Sequence, residues 1–467
     1  MSSAAPSENF GTPRHGTAEY DHYSVSARMD RLPVLRSHRM ITVIVGLGVF
    51  FDQYENFLAA TISKVLQNDF LLSGTVLSLV LASAFLGQFL GAIFMGRLAD
   101  RVGRRTAFIV NLLLYSGFSL IAAFAPNAEW LIVCRFIAGI GIGGEYALAD
   151  SYLSDLLPKA SRGRFIAWAY TVSFLGIPAV GLLAHWLVPL TPLGISGWRW
   201  LFVLGALGGF IVWFVRRGVP ESPRWLETQG RLSEARAIVE KFEDEARAAG
   251  KTLAEPDASI RPVTEAKVPF REIFQKPFRK RTLMLSAMNF LQVFGYYGFG
   301  TVAVLALSAK GFDVVESIGY TALTYFGYPL GSILIIPFIE KFERKYLVMV
   351  TAGLMGVFGL AFGFGTGPAW VVIAGVLFTM ASNMFSNSYH VFMAENFPTR
   401  VRGTASGFAY SLSKLTSAFL PFLLLPLLSG AGSAAVFSVV ALAMVLLILD
   451  VGILGDRTTG RSADREA

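Results

Sequence analysis

The chain is 467 residues long, 54% hydrophobic and only 15% charged, against about 25% charged in an ordinary soluble domain, with a formal net charge of +8. That balance excludes a soluble globular domain, and because the basic residues lie between apolar runs instead of along one stripe, it also argues against a nucleic-acid surface. A single cysteine, Cys134, excludes an internal disulfide framework and argues against a thiol-based metal site.

Residues 1–39 are polar and lack the apolar core of a cleavable signal, so they read as a cytoplasmic tail whose first 23 residues are disordered. Twelve apolar segments follow, near residues 40–63, 75–97, 106–125, 130–153, 164–188, 199–216, 282–308, 316–339, 346–365, 369–393, 404–428 and 432–454. Each is close to the roughly 20 residues a helix needs to cross a bilayer. Arginine and lysine crowd the even-numbered connections: Arg97, Arg101, Arg104 and Arg105, then Lys159, Arg162 and Arg164, then Lys341, Arg344 and Lys345, then Arg400 and Arg402. The opposite loops "APNAE", "GTGPAW" and "SGAGS" carry no positive charge, which places both termini in the cytoplasm. The expected organisation is an all-α membrane protein with one six-helix bundle over residues 40–226 and a second over 282–455. A cytoplasmic helical linker over 227–281 joins them, and residues 456–467 form a terminal tail.

Within the fourth segment, "RFIAGIGIGGEYALAD" places Gly139, Gly141 and Gly144 at the spacing of a dinucleotide cradle. The cradle needs a strand, a tight turn and a helix; here the glycines sit inside one continuous apolar run, so close helix packing is the expected role. The similar "EARAAGKTL" has Glu245 where a phosphate loop requires glycine.

An internal repeat organises the whole. Asp155, Pro158, Arg162 and Gly163 recur as Glu395, Pro398, Arg402 and Gly403, each displaced by 240 residues, and the same offset carries Asp100 onto Glu340 and Arg104 onto Arg344. Two parallel six-span halves descended from one unit are a pattern of transporters that bind substrate where the halves meet.

An ionised side chain inside a bilayer needs a partner or a task. Asp52 lies near the middle of the first span with Glu55 on the same face, and Arg135 opens the fourth. A carboxyl raised by burial and lowered by a nearby guanidinium loads and releases a proton as it moves between those settings; a permanent structural pair is the alternative. Glu145 reads as a second titrating group, as part of a gate, or as a structural partner of Arg104 or Arg162. The seventh span offers Asn289, Gln292 and Tyr296 on one face with Tyr297 adjacent, and the tenth offers Asn383, Asn387 and His390. Such stripes bind a ligand or hold helices together. Tyr325 and Tyr328 supply aromatic walls or packing. Lys414, deep in the eleventh span beside Tyr410 and Ser417, is a cation with no acid on its own helix; it suits a carboxylate substrate, or a pairing with Glu55 or Glu145.

Three stretches resemble the major facilitator superfamily. "GRLADRVGRR", with Gly96, Asp100, Gly103, Arg104 and Arg105, is similar to that family's loop signature, and "PESPRWL", with Glu221 and Arg224, resembles its sugar-porter motif. "GIGIGGEYALADSYLSD", "FDQYE" and "NFLQVFGYYGFG" are similar to the organic-ion branch, including bacterial nicotinate permeases and synaptic-vesicle-glycoprotein-like transporters. The second signature copy departs from the first, with Glu343 in place of Gly103, and Arg457 stands where the family's terminal motif usually has an acid. The resemblance implies twelve helices in two pseudo-symmetric bundles, a cavity lined by the first, fourth, seventh and tenth spans, and alternating access. It implies that Asp52 carries a proton with Arg135 as its counter-charge. It also implies that Asp150, Asp155 and Glu395 form a cytoplasmic ion-pair lattice with Arg104, Arg105, Arg162, Arg224 and Arg402. The expected activity is proton-coupled uptake of a small organic anion such as an aromatic or heterocyclic monocarboxylate, nicotinate being the leading example, by a monomer of the bacterial inner membrane. No enzymatic activity, cofactor, metal or nucleic acid is expected. A sugar or polyol symporter and an organic-cation exporter are the alternatives.

Overall fold

The apolar runs fold as helices throughout the computed structural model, which describes residues 23–258, 269–339 and 341–458, with no strand among them. The expected disordered tail, apart from Tyr23, therefore lies outside the described residues, as do Glu340 of the repeat, part of the linker and the side chains of Thr399 and Arg400. The helices are α1 (Val25–Asp30), α2 (Arg36–Thr61), α3 (Ser63–Asp69), α4 (Gly74–Val102), α5 (Arg104–Ala123), α6 (Ala128–Gly143), α7 (Glu145–Leu156), α8 (Arg162–Phe174) and α9 (Gly176–Leu187). They continue as α10 (Gly197–Arg216), α11 (Pro223–Thr228), α12 (Leu232–Ala248), α13 (Arg279–Ala309), α14 (Val314–Tyr325), α15 (Gly327–Ile339), α16 (Arg344–Phe364), α17 (Pro368–Glu395) and α18 (Thr399–Leu454).

Ten helical stretches among the described residues are long and apolar enough to cross a membrane. One of them, within α18, is two expected spans joined at Gly432, whose φ of 77° breaks the helical path. Helix α2 completes the twelve; Asp52, Gln53, Glu55 and Asn56, all buried, dilute its apolar character. Large apolar side chains such as Ile211, Phe214, Phe364 and Ile453 are exposed on these helices, the surface a lipid-facing bundle presents. Start signals are local: Asn127 accepts from the Trp130 amide at 2.9 Å, Asp313 accepts from the Val315 amide at 2.7 Å, and Pro368 opens α17.

The glycines of the fourth segment bring α6 against α4. A Cβ at Gly139 would overlap the Ala84 carbonyl, and one at Gly143 the Gln88 carbonyl, so backbone touches backbone. The crossing is repeated 240 residues later. Gly87 meets Phe136 and Gly91 meets Ile140; correspondingly, Gly327 meets Val376 and Gly331 meets Met380. Where Gly143 faces the Gln88 carbonyl, Asn383 instead donates to the Tyr328 carbonyl at 2.6 Å.

The basic connections lie at one end of the bundle, where α1 docks on α12. Arg28, 1% exposed, donates to Glu243 at 2.8 and 3.2 Å, and Arg31 adds a bond of 2.7 Å. The Val25 amide donates to Glu227 of α11 at 2.8 Å and the Ser37 amide to Glu245 of α12 at 3.1 Å, so the segment before the first span is fastened to both helices. Burial by itself pushes the Glu243 carboxyl up, but the hydrogen bonds from Arg28 and Arg31 outweigh it and hold the group below the usual glutamate range.

Two expectations follow from this packing. Gly139→Ala, which drives a methyl into the α4 backbone, should destabilise the purified protein by about 1–3 kcal/mol. Gly117→Ala, with nothing within 4 Å of the new atom, should be neutral or slightly stabilising in the same melting assay; equal effects would contradict the close crossing. Because the Glu243 value is lowered on folding, its contribution is complete above the ordinary glutamate range and is lost as pH falls through the lowered value. Amide exchange of α1, corrected for intrinsic rate, should therefore accelerate only at acid pH, and in Glu243→Gln already at neutral pH; an α1 equally protected in the variant would contradict the docking.

Candidate functional site

The charges inside the bundle form two levels, one helical turn apart. At one level Glu55 accepts from the Ser119 hydroxyl and lines a small cavity with Asn56, Ser119 and Arg135. One turn further along α2 and α5, Asp52 and Tyr115 lie in electrostatic reach of Glu145 and Arg216. Arg216, at the end of α10, reaches Glu145 at 3.0 Å and lies over the Phe108 ring at 4.3 Å. Asn111 donates to the other Glu145 oxygen at 3.3 Å. This reach depends on Gly48, where any Cβ would collide with the Arg216 guanidinium.

The pairings therefore differ from those expected. Among the described residues no ion pair joins Asp52 to Arg135: Arg135 lies at the Glu55 level, and the cation at the Asp52 level is Arg216. Glu145, for which Arg104 and Arg162 were the expected structural partners, pairs with Arg216 instead. Sequence reasoning missed Arg216 because a span ending in "WFVRR" looks like an ordinary basic flank, and nothing in that string shows that the first arginine turns inward. Asp52 is fully buried and, among the described residues, neither of its carboxylate oxygens has a hydrogen-bond partner.

Across the interface between the halves, Lys414 is 2% exposed and donates to the Tyr297 hydroxyl at 2.7 Å. Its ammonium lies 4.7 Å from the Tyr297 ring centre and 5.1 Å from that of Tyr410, and no ion pair reaches it among the described residues. Tyr296 packs edge-on against Tyr297 at 4.9 Å, and Gln53 from the first half approaches the Tyr296 hydroxyl at 3.5 Å. A second, narrow cavity lies between the halves, lined by Asn56, Phe57, Phe85, Arg135, Tyr297 and Thr301 together with Ala60, Leu81 and Gly300.

The other polar candidates are committed to hydrogen bonds within or between helices. Asn289 donates to the Leu285 carbonyl at 2.8 Å and accepts from Tyr389 at 2.6 Å; Asn383 holds Tyr328; Asn387 donates to the Asn383 carbonyl at 3.1 Å. Gln292 is buried, and Tyr325 and Tyr328 pack edge-on against Phe57, each at 5.5 Å.

At the basic end, the lattice residues divide into two sets with the same design. Arg104 faces Asp155 at 3.9 Å, and its repeat counterpart Arg344 faces Glu395 at 3.4 Å. Arg105 donates to the carbonyl of Arg217 after α10, and its counterpart Lys345 donates to the carbonyls of Gly452 and Gly455 at the end of α18, both at 2.8 Å. Arg104 also holds Asp100 at 2.5 Å, and Glu221 accepts from the Arg105 and Ser222 amides at 3.0 and 2.8 Å, packed under Gly103. Arg162 and Arg224 converge on Asp30, at 3.1 and 2.7 Å, an acid of the N-terminal segment that sequence reasoning did not single out. Among the described residues Asp150 joins no arginine and accepts from Tyr170 at 2.5 Å; Arg402 donates to the Phe397 carbonyl at 3.2 Å; a Cβ at Gly96 would meet nothing within 4 Å. Among the described residues no ion pair links the two sets, whereas at the opposite end His185 meets the Val315 carbonyl at 3.2 Å across the halves.

These features coincide with known proteins. Residues 45–421 match the family model described as Major Facilitator Superfamily. The niacin transporter NiaP of Acinetobacter baylyi is 29% identical over 94% of this chain and 98% of its own length. The gentisate transporter of Corynebacterium glutamicum is 26% identical over 96% of each, and the arabinose-proton symporter of Bacillus subtilis is 27% identical over 93% and 96%. Among solved structures, the inward-open xylose transporter XylE of E. coli superposes with a TM-score of 0.73 at 19% identity, covering 91% of this chain and 98% of that one, a likeness of fold. With the family model spanning most of the chain and the helices and repeat in agreement with it, this protein belongs to the major facilitator superfamily of multi-pass membrane transporters.

Proposed function

We propose that this transporter takes up a small aromatic or heterocyclic carboxylate together with a proton, nicotinate being the leading example, with the basic face in the cytoplasm of a bacterial cell and the protein working as a monomer in the inner membrane. One observation carries the reading. The buried charged side chains of the described bundle are three acids, Asp52, Glu55 and Glu145, and three bases, Arg135, Arg216 and Lys414. Glu145 pairs with Arg216 and Glu55 lies in electrostatic reach of Arg135, so the first half holds one acid in excess and the second half one base. Asp52 and Lys414 lie in electrostatic reach of one another but make no pair.

An anion entering beside Lys414 neutralises it and strands the negative charge of Asp52. An unbalanced charge at mid-membrane depth costs about 3 kcal/mol or more, equivalent to about a hundredfold in affinity. A proton on Asp52 removes that cost, so anion and proton each favour the other's binding, and by linkage the preference is mutual. Uptake driven by a proton gradient follows from this coupling when the two halves rock about the shared site. The named relatives that act on niacin and gentisate, both aromatic acids, support the carboxylate; the arabinose-proton symporter supports the proton and keeps sugar uptake as the second reading. A buried lysine with no acid partner favours the anion over the sugar.

Two measurements test the proposal. Asp52→Asn should abolish uphill accumulation of labelled nicotinate in proteoliposomes while leaving counterflow exchange; retained accumulation would remove Asp52 from coupling. Carboxylates should raise the melting temperature of the purified protein, and Lys414→Met should abolish that shift, whereas stabilisation by sugars or organic cations alone would overturn the substrate class.

A further inference from the structure

Arg135 is the charged group of the bundle that the coupling scheme leaves idle. It is 6% exposed, makes no hydrogen bond or ion pair among the described residues, and its Nε is fully enclosed without a partner. Glu55, the acid at its level, is engaged by Ser119. A guanidinium carries five donors in a fixed planar fork, and burying it unbonded is costly unless a ligand completes it. Arg135 lines the cavity between the halves, whose walls include Phe57, Phe85 and Tyr297, with Thr301 as a further polar group. Tyr297 is also the residue to which Lys414 donates, so one aromatic side chain connects the surroundings of both cations. Asn56, which lines the same cavity, is held by a 2.5 Å bond from Gln88 and is thereby oriented.

We propose that Arg135 is a second substrate-binding residue, which reads a hydrogen-bond acceptor on the ring of the transported acid while Lys414 holds its carboxylate. The inference rests on the carboxylate reading above and narrows it. The substrate class becomes aromatic acids that carry a second acceptor, a ring nitrogen, a hydroxyl or a further carboxylate, at a ring position away from the first, as nicotinate does at the meta position. The ring lies between Phe57, Phe85 and Tyr297. Such a ligand touches Arg135 of the first half and Lys414 of the second at once, and so is bound most fully when the halves close on it. An acid lacking the second acceptor leaves the fork unsatisfied and binds more weakly.

The test is titration of the full-length purified protein with benzoate and with 3-hydroxybenzoate. The wild type should prefer the hydroxylated acid by about tenfold, the value of one hydrogen bond to a charged group. Arg135→Gln should erase that preference whatever it does to the affinity for both acids, and Lys414→Met should weaken both acids together while keeping the preference. If Arg135→Gln alone leaves Glu55 stranded and the protein unfolds, the neutral pair E55Q/R135Q answers the same question. A preference that survives loss of the guanidinium, or two acids weakened equally by it, would overturn the role of Arg135 and leave the carboxylate reading intact. Binding of either acid that ignores Lys414→Met would instead overturn that reading itself.

Discussion

The need to neutralise charge inside a bilayer is the constraint on which the rest of this structure depends. Six charged side chains are buried in the described bundle, and each would be prohibitive alone. The fold meets the cost locally wherever it can. Gly48 lets Arg216 reach Glu145, Phe108 covers its face, and Asn111 completes the carboxylate. With Glu145 matched to Arg216 and Glu55 to the charge of Arg135, Asp52 and Lys414 are left over, and because they stand in different halves their mismatch is relieved by what the protein carries and not by its own side chains.

The same logic shapes the basic face. Each half closes its own ion pairs, Arg104 with Asp155 and Arg344 with Glu395, and each caps its last helix with a cation one position further on. A half that is electrostatically complete by itself can move as a body, since no described ion pair at that end has to break when the halves separate. Asp30 adds a control that the repeat lacks. It occupies Arg162 and Arg224 and is itself held in place by the docking of α1 on α12, so the segment before the first span secures the first half's cluster.

Much of this was legible in the sequence. Twelve apolar runs, the alternation of basic and neutral loops and the 240-residue offset specify the helices and their kinship, because hydropathy and repetition are properties of the string itself. The glycines of "GIGIGG" were readable as a packing surface for the same reason: their context excludes a cradle. Lys414 stood out because depth within a span can be counted. Partner choice was not legible. Whether Asp52 faces Arg135 or Arg216 depends on helix rotation and on which glycine leaves room, and neither is written in spacing alone. The asparagines of the seventh and tenth spans look like a ligand stripe in sequence, yet their amides are spent on the carbonyls of Leu285, Tyr328 and Asn383. Asp30 and Arg216 gave no signal, since an acid in a polar tail and an arginine at a span end are both commonplace.

The central claim is that a carboxylate and a proton enter together because the buried charges balance only as a pair. Uptake of labelled nicotinate into proteoliposomes, with the pH gradient and the membrane potential imposed separately, tests it most directly. The account predicts accumulation driven by the pH gradient and indifferent to potential, since one negative and one positive charge cross together. Accumulation that follows the potential and ignores the pH gradient would contradict it.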